Sequence, residues 1–461
     1  VRVVKSELAC YRLLFPIQRF AWRKLKESAE LGQLRQRHLG YYRELAVRAQ
    51  PLIRGAEQSH WLDRFELELD NFRAALDWAL KSGSIETGLE TAAELGEFWW
   101  RQGYSFEGLE WLDRLLDRYP PADITRADAL IQAGRLSREI GSYERANTLC
   151  GASLELSRKL DYEPGTAESL CQLGILAHYY RGDLEESIQL LEEGIEIYRQ
   201  QGDAWNVAIK RLRLAEALMK SDRWQQATGL FSESLVFFRE ICDLWGISFS
   251  LGGLGDLARM AGDFDSARVY LEESLNQGIE SNNKVQIAFV MEAVALVLQE
   301  QGNFRCALLL FGYAEALRES IRSLLPPAHQ RYYAGHLCQA RSALGEAAFE
   351  QAFSEGRGLE IEQAVALAME PLRCEQAPGA VMGEPSKPAL QTASRSGAHG
   401  LTAREIEVLG LVARGLTDAQ VAEELVISPR TVSKHLQSIY GKLQVSSRSA
   451  ATRVALQNDV V

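Results

Sequence analysis

A pattern with a period of about 40 residues runs through the middle of the chain and restricts the folds open to it. Each copy has a turn-forming Gly or Ser segment, then a bulky residue, then a small residue three positions later. The bulky residues, at spacings of 41, 40, 40 and 40, are Tyr143, Leu184, Trp224, Phe264 and Phe304. A second series of small residues keeps the same period: Gly134, Gly174, Ala215, Gly255 and Ala295. Two independent series with one period predict an array of stacked helix pairs, each of which buries its apolar face against the next.

Each copy predicts two helices that approach closely at the small residue and are joined by the turn. The aromatic-x-x-Ala pattern resembles the tetratricopeptide repeat, although the period exceeds the roughly 34 residues of that repeat. HEAT-type helix pairs, which have a similar length, are the alternative. We predict that the array covers residues 81–370, with a weaker first copy near Phe106. Tyr143, Trp224, Phe264 and Phe304 are interpreted as core between repeats.

Residues 1–80 are predicted to be helical throughout, with a polar joint at residues 27–38 and breaks at Pro51 and Gly55. This segment resembles the region that follows the nucleotide-binding module in large bacterial signal-transduction ATPases. The phosphate-binding pattern G-x-x-x-x-G-K-[ST] occurs nowhere in the sequence. We therefore expect either a shortened relative of those ATPases or a fragment of a longer product.

The composition changes after the array. Pro371, Pro378, Pro385 and Pro388 fall, with several Gly and Ser residues, in a stretch without hydrophobic periodicity. This composition predicts a flexible linker over residues 371–398. A compact domain over residues 399–461 is predicted to follow it.

Side-chain chemistry marks three helix starts in this C-terminal domain. Thr402 with Glu405, and Thr417 with Gln420, have the spacing in which side chains satisfy the backbone N–H groups of a first helical turn. Ser428 precedes a proline, which is preorganised for the first helical position. The predicted helices bury stripes of apolar residues, namely Ile406, Leu409 and Val412, then Val421, Ala422 and Leu425, then Val432, Leu436, Ile439 and Leu443.

The face of the third helix opposite its apolar stripe is rich in hydrogen-bond donors. Its residues are Arg430, Ser433, Lys434, Gln437 and Gly441. No Asp or Glu occurs at residues 425–458. A helix fits the major groove of DNA, where Arg, Lys, Gln and Ser reach the base edges. We therefore interpret this helix as the recognition helix of a helix-turn-helix.

The same segment resembles the LuxR-type DNA-binding domain over almost its whole length. The matching stretches are LTAREIEVL, ARGLTDAQVAEEL, ISPRTVSKHL and KLQVSSRSAA. Ser433 and Ala403 depart from the commonest pattern of the family, which has Lys and Pro there. The resemblance implies DNA contacts by Thr417, Ser428, Arg430, Thr431, Ser433, Lys434, His435, Gln437, Lys442 and Arg448. It also implies a fourth helix that forms dimer contacts through Ala451, Val454 and Ala455.

The charge distribution separates the C-terminal domain from the rest of the chain. The net charge is −11, whereas residues 401–461 hold seven Lys or Arg and six Asp or Glu, a net of +1. The first 400 residues therefore carry −12. Because an acidic body repels DNA, we expect nucleic-acid contacts only in the C-terminal domain.

The cysteines and the apolar segments bear on the cellular compartment. The seven cysteines are scattered without a C-x-x-C pair, so we expect thiols in a reducing compartment, no disulfide framework and no metal site. No apolar run approaches the ~18 residues of a membrane span, and no signal-peptide pattern is present. We expect a cytoplasmic protein without membrane contact. The sequence also has no catalytic constellation and no cofactor motif.

Together these patterns predict an all-α chain, with a tetratricopeptide-like superhelix followed by a four-helix helix-turn-helix domain. The resemblance to LuxR-type regulators, including the large maltose-activator-like regulators but without their ATPase module, implies a bacterial transcriptional regulator that is not an enzyme. Its array would sense a partner protein or small effector. Its terminal domain would bind double-stranded DNA as a homodimer, with RNA polymerase as a further candidate partner. Two alternatives stay open: a repeat-based interaction scaffold with a vestigial DNA-binding domain, and a fragment of a larger NTP-dependent regulator.

Overall fold

The structure, a computed structural model, divides into two compact units, Val1–Gln376 and Ala377–Val461. In the first unit it describes residues 2–4, 10–12, 15–28, 30–281, 283–321 and 323–369. In the second unit it describes residues 408, 409, 411, 420–422, 432, 436, 439 and 442. The predicted linker at residues 371–398 lies outside the described residues.

The first described elements are two short antiparallel strands, β1 (Arg2–Val4) and β2 (Cys10–Arg12), in which Val3 is paired with Tyr11. The prediction that residues 1–80 are helical throughout is therefore wrong for these two segments. Val and Tyr favour an extended backbone, and each strand supplies the hydrogen-bond partner that the other requires.

Three helices follow the strands: α1 (Phe15–Glu27), α2 (Leu31–Ala49) and α3 (Gln58–Ser82). The polar joint predicted at residues 27–38 is shorter than expected, because residues 31–38 already belong to α2. The breaks predicted at Pro51 and Gly55 are confirmed, since both residues lie between α2 and α3. Gly55 has a φ of 148°, which residues with a side chain rarely adopt.

The described part of the first unit continues as a succession of helices. These are α4 (Ile85–Glu94), α5 (Gly96–Gln102), α6 (Ser105–Leu116), α7 (Ile124–Glu139), α8 (Tyr143–Lys159), α9 (Glu163–Leu176), α10 (Leu184–Gln200), α11 (Ala204–Lys220), α12 (Trp224–Ile241), α13 (Leu244–Met260), α14 (Phe264–Glu280), α15 (Lys284–Glu300), α16 (Phe304–Ser320), α17 (Pro327–Leu344), α18 (Glu346–Arg357) and α19 (Ile361–Met369). A π-helical turn, Ala177–Arg181, extends α9. None of the helices described here combines the length and the apolar composition needed to cross a membrane.

The 40-residue pattern coincides with the helix boundaries. The five bulky residues are the first residues of α8, α10, α12, α14 and α16. The small residues three positions later, which are 0% exposed, are Ala146, Ser187, Ala227, Ala267 and Ala307. The predicted helix pairs are therefore confirmed. Each pair has a first helix (α7, α9, α11, α13 or α15) and a second helix that follows it in the chain.

Polar side chains in the turns fix where many of these helices begin. Asp203, Asp243 and Asn283 each accept a hydrogen bond, at 3.0 or 3.1 Å, from the backbone N–H three residues later, at the start of a first helix. Asp183 and Asp263 do the same for second helices. Such caps satisfy N–H groups that the helix itself leaves without a partner. The turn chemistry thus sets where these five helices begin.

The second series of small residues marks the closest approach within the pairs. A Cβ at Gly134 would lie 2.5 Å from Cys150 Sγ, and one at Gly255 would lie 2.8 Å from Leu271 Cγ. Ala295 is 0% exposed. Small side chains at these places let the two helices of a pair pack in direct contact, as predicted.

The interpretation of all four aromatic residues of the pattern as core is only partly correct. Tyr143 is buried, Phe264 and Phe304 are half-buried, and Trp224 is 39% exposed. Each of these residues opens a second helix, where the neighbouring pair covers the first turn incompletely. Burial of the second helix instead begins at the small residue three positions later.

The weaker first copy predicted near Phe106 exists, but Phe106 itself is 52% exposed. Helix α6 begins at Ser105, and its buried small residue is Gly108, which packs against the indole of Trp99. The aromatic pattern is therefore shifted in this copy. The preceding helix is also broken into α4 and α5 at Leu95.

One buried core extends from α2 to α7 and includes Phe65, Phe98 and Leu136. It crosses the boundary that is predicted between residues 80 and 81. Gln58, at the start of α3, also donates a hydrogen bond to Asp243 Oδ1 at 3.2 Å. The helices on the two sides of the boundary share a core, and the boundary itself stays a prediction.

Helix α17 folds back across the first helices of the array. The ring centroids of His329 on α17 and Tyr179 in the π-helical turn are 5.3 Å apart. Arg259 of α13 donates a hydrogen bond to the hydroxyl of Tyr332 at 3.0 Å. We call the side that the first helices present to α17 the inner face of the array.

Candidate functional site

The described residues of the second unit follow the predicted apolar stripes. The buried positions, all in helical backbone, are Val408, Leu409, Leu411, Val421, Ala422, Val432, Leu436 and Ile439. Burial is confirmed for Leu409, Val421, Ala422, Val432, Leu436 and Ile439. The other predicted positions, Ile406, Val412, Leu425 and Leu443, lie outside the described residues. In the third helix the buried residues step by four and by three positions, as one face of a helix requires.

Lys442 is the predicted DNA contact that falls within the described residues, and it is helical and exposed. The other predicted DNA contacts lie outside the described residues: Thr417, Ser428, Arg430, Thr431, Ser433, Lys434, His435, Gln437 and Arg448. The predicted dimerisation residues Ala451, Val454 and Ala455 lie outside them as well. These assignments stay predictions.

The inner face of the array contains a second candidate site, a chamber of about 110 Å³ between the first helices and residues 323–329. One wall of this chamber is aromatic. The rings of Trp100 and Trp245 meet edge to face with centroids 5.4 Å apart, and Trp245 stacks on Phe249 at 5.1 Å. Phe249 in turn stacks on Phe289 at 6.3 Å. Stacked rings from α5, α13 and α15 therefore form a continuous apolar surface.

Two arginines of the chamber have complete ion pairs. Arg318 donates to both carboxylate oxygens of the buried Glu292, at 2.6 and 2.8 Å. Arg213 donates to Glu216 at 2.9 Å and to the Tyr179 hydroxyl at 2.8 Å. Burial alone would lower the pKa of Arg213, but Tyr179 and Glu216 raise it above its ordinary value. Both guanidinium groups are therefore held charged and in place.

A smaller cavity adjoins the chamber, and we call it the side cavity. It shares Trp100, Arg138, Arg213 and Trp245 with the chamber. Its further lining residues are Arg101, Arg135, Gln172, Ile175, Trp205, Ile209 and Lys210. The side cavity thus has five cationic side chains in its wall and no carboxylate.

Carboxylates behind the wall neutralise two of these cations. Arg101 pairs with Glu97 at 2.8 Å, and Lys210 pairs with Glu168 at 2.7 Å. Burial would raise the pKa of Glu168, but Lys210 lowers it well below its usual range. Both carboxylates are therefore ionised and fully engaged.

Arg135 and Arg138 differ from these paired cations. Arg135 lies over the Trp100 ring, 4.3 Å from its centroid, and forms no ion pair with a described residue. Burial lowers the pKa of Arg135. Arg138 is 8% exposed and donates through Nη2 to Glu139 at 2.5 Å, while its Nη1 has no hydrogen-bond partner among the described residues.

A third group on the inner face joins α17 to the array. His178 and His329 face each other beside Glu216 and Lys220. Burial lowers the pKa of each histidine to about 4. Both imidazoles are therefore neutral near pH 7 and contribute to packing.

The inner-face residues were not predicted from the sequence because no local motif contains them. A signal does exist: Arg135 and Arg138 stand one and four positions after the small residue Gly134, on the same side of the first helix. Asp256 and Arg259 hold the same two positions after Gly255. Side chains at these two positions therefore project toward the inner face in successive repeats.

Two parts of the chain match known families. Residues 399–455 match the family described as bacterial regulatory proteins, luxR family, and residues 125–200 and 206–280 match the tetratricopeptide repeat. The chain thus combines a LuxR-family helix-turn-helix domain with tetratricopeptide repeats. Both parts of the predicted architecture are confirmed, including the choice of the tetratricopeptide class over HEAT-type pairs.

Relatives that align with most of this chain occur in mycobacteria. Proteins of Mycobacterium tuberculosis and Mycobacterium bovis, provisionally named HTH-type transcriptional regulators Rv0890c and Mb0914c, are 23% identical to this chain over 606 aligned positions. The alignment covers 95% of this chain and 66% of each relative, so the chain spans slightly less than two thirds of their length.

Similarity to other proteins covers single parts of the chain. The transcriptional regulatory protein LiaR of Bacillus subtilis is 43% identical over 63 residues, which are 14% of this chain and 30% of LiaR. The crystal structure of a Rap protein complexed with competence and sporulation factor covers 71% of this chain and 100% of the Rap chain, at 12% identity and a TM-score of 0.44. A structural similarity of that size supports no conclusion about function.

Proposed function

We propose that the chain is a sequence-specific DNA-binding transcriptional regulator, in which the LuxR-family domain binds the operator and the repeat array binds an effector. The observation that carries this proposal is the family match over residues 399–455, together with the buried apolar stripes of the same segment. The mycobacterial relatives, which align with nearly the whole chain, bear names of the same functional class. In this proposal the chain binds DNA and an effector and catalyses no reaction.

The periodicity of the third helix supports the assignment of individual DNA contacts. Val432, Leu436 and Ile439 are buried on one side of the helix. In a regular helix Lys434 and Gln437 then belong to the opposite side. We assign these two side chains to base edges in the major groove. Arg430 and Ser433 share this outer face, and Thr431 and His435 are further proposed contacts, with His435 placed by periodicity beside the apolar stripe.

The remaining proposed contacts hold the DNA backbone. Thr417 and Ser428 stand at predicted helix starts, where N–H groups and hydroxyls bind phosphate. Lys442, near the end of the recognition helix, and Arg448, at the predicted start of the next helix, are assigned to phosphate. Pairing of two domains through Ala451, Val454 and Ala455 would match a two-fold symmetric operator. RNA polymerase is a further partner in this proposal.

A genome-wide map of where the full chain binds DNA tests the proposal. We expect discrete sites that share one sequence element, and loss of those sites when Lys434 and Gln437 are both replaced by Ala. Binding spread evenly over the genome, or an unchanged map for the double variant, would contradict sequence-specific regulation through this helix.

A further inference from the structure

We propose that the chamber and the side cavity together bind a small organic anion, with its carboxylate or phosphate group at Arg135 and Arg138 and its apolar part against the rings of Trp100 and Trp245. This inference depends on the proposed function only in naming the ligand an effector. The ligand class follows from the hydrogen-bond donors, the charge and the shape of the two cavities.

The walls contain polar atoms that the described protein leaves without a hydrogen bond. They are Nη1 of Arg138, Nε2 of Gln286 and Oε1 of Gln172, in side chains that are 8%, 5% and 3% exposed. A buried donor or acceptor without a partner costs free energy, so such atoms are usually satisfied by protein, by water or by a ligand. Arg138 lines both cavities, and its free Nη1 would donate to an anionic group, whereas Gln286 lines the chamber and Gln172 lines the side cavity.

The charges of the wall lead to the same ligand class. The chamber and the side cavity are lined by six Arg or Lys side chains and by two carboxylates, those of Glu139 and Glu216. Three further carboxylates behind the wall, on Glu97, Glu168 and Glu292, pair with lining cations. Glu97 also pairs with Arg54, at 3.3 Å, so these five carboxylates do not balance the nearby cations. Arg135 is the lining cation without an ion pair to a described residue, and a negative charge on the ligand would offset the excess positive charge.

Other buried arginines of the array have more complete ion pairs than Arg135 and Arg138. Arg318 pairs with both oxygens of Glu292, and Arg259 donates twice to Asp256 Oδ1, at 2.6 and 2.8 Å. A guanidinium that serves packing alone is accompanied by a buried carboxylate in these cases. Arg138 instead pairs with Glu139, its neighbour in sequence, through one nitrogen.

The shape of the site suits a flat apolar group beside the anion. Arg138 lies where the two cavities meet, since it lines both, together with Trp100, Arg213 and Trp245. The chamber volume of about 110 Å³ is close to the roughly 150 Å³ of an engineered cavity that takes up benzene. A ring in the chamber would therefore carry its carboxylate or phosphate toward Arg135 and Arg138.

Thermal unfolding of the ligand-free full chain is the first test. Arg138→Met replaces a guanidinium that lacks a full set of partners, so we expect the unfolding midpoint to stay the same or to rise by about 2 °C. The control is Arg318→Met, which leaves Glu292 buried without its partner and should lower the midpoint by about 5 °C or more. If Arg138→Met were as destabilising as Arg318→Met, Arg138 would be a structural residue and the inference would be wrong.

Calorimetric titration of the full chain is the second test, with phenylacetate and phenyl phosphate as anionic probes and phenylacetamide as the uncharged analogue. We expect at least one anion to bind at least about tenfold more tightly than phenylacetamide, because a charge-assisted hydrogen bond to Arg138 is lost in the amide. The stronger of the two anions identifies the head group. Arg135→Met and Arg138→Met should each remove the preference for the anion.

A matched variant separates this effect from general loss of positive charge. Arg239 on α12 is 51% exposed and pairs with Glu273 outside the two cavities, so Arg239→Met should keep the preference. Equal binding of all three probes, or a preference that survives in Arg138→Met, would overturn the inference.

Operator binding by the same variants without probe is measured in parallel. Failure of the probes with intact operator binding rejects only this inference, whereas loss of operator binding by the parent chain rejects the proposed function.

Discussion

The turns of the array and its inner face are built on the same helices, but they vary in different ways. In the turns the chemistry repeats, since Asp183, Asp263 and Asn303 each cap a second helix with the same hydrogen bond. On the inner face it changes with each repeat. Four positions after the small residue of the first helices stand Arg138, His178, Met219, Arg259 and Gln299. The residues that repeat with the period are therefore those that helix stacking requires. The side chains that could give this chain its own binding specificity are at the positions where the copies differ.

The largest effect should come from breaking an inner-face ion pair. Glu292 and Arg318 are 3% and 9% exposed, and the Glu292→Gln substitution leaves the guanidinium buried without its counter-charge. We expect a loss of about 3–5 kcal/mol in the free energy of unfolding. Urea unfolding of the full chain, followed by circular dichroism, measures it.

An exposed ion pair between two second helices, α12 and α14, is the matched control. Glu273 and Arg239 are 40% and 51% exposed with 2.6 Å between their nearest atoms, so Glu273→Gln should cost less than about 1 kcal/mol. Equal losses for the two substitutions would mean that burial does not distinguish the inner face from these second helices.

The same contrast separates the features that the sequence predicts from those that it does not. Helix pairs and their boundaries follow from local spacing, because a turn, a bulky residue and a small residue all lie within six positions of one another. The inner-face contacts join different repeats instead. Lys210 pairs with Glu168, which is 42 residues away, and Arg259 contacts Tyr332, which is 73 residues away. No local pattern predicts such pairs, since they depend on the stacking angle and on the return of α17.

More of the second unit could be predicted from the sequence than of the inner face, because its helix-turn-helix motif lies within one short segment. The buried stripe of Val432, Leu436 and Ile439 follows directly from helical periodicity. The full set of DNA contacts comes from resemblance to the LuxR family, and helical periodicity supports it for Lys434 and Gln437, residues that the structure does not describe. They therefore remain predictions, whereas the apolar stripes are confirmed at each position that the structure describes.

Stability should be sensitive to side-chain size at the small residue where the two helices of a pair meet. A leucine at Gly134 would press against Cys150 and the backbone of α8, so Gly134→Leu should destabilise the chain by about 3 kcal/mol. Gly151, on α8, has no neighbouring atom within 4 Å of a Cβ position. Gly151→Ala should therefore stabilise by about 0.5–1 kcal/mol through its helix propensity alone. Thermal unfolding compares the two, and a stable Gly134→Leu variant would contradict the close approach of α7 and α8.

The inner face should also make stability depend on pH. Burial lowers the pKa of His178 to about 4, below its value in the unfolded chain, with Glu216, Lys220 and Arg213 as its charged neighbours. His178 therefore binds a proton more tightly in the unfolded chain than in the folded one. Its contribution to the free energy of unfolding is present above about pH 6.5 and is lost as the pH falls toward 4. Between pH 6.5 and 5 the loss attributable to His178 should be about 2 kcal/mol.

Comparison with His178→Gln isolates this contribution from that of the carboxylates, which titrate in both proteins. Urea midpoints at pH 8, 6.5 and 5 should differ between parent and variant by an amount that shrinks or changes sign as the pH falls. A difference that stays constant over the three pH values would show that His178 does not titrate in this window.

The smallest effects should be changes in DNA affinity, which distinguish contacts to base edges from contacts to phosphates. Gln437→Ala should weaken binding to the correct operator on the order of 1 kcal/mol and relax the preference at one base position, because it removes a contact to a base edge. Lys442→Ala should weaken binding to every sequence alike and reduce the slope of log affinity against log salt by about one unit, because it removes one phosphate contact. Each variant is titrated with the operator and with a scrambled duplex at several salt concentrations. The reverse outcome, in which Lys442→Ala changes base preference and Gln437→Ala changes only the salt slope, would mean that the recognition helix enters the groove the other way round.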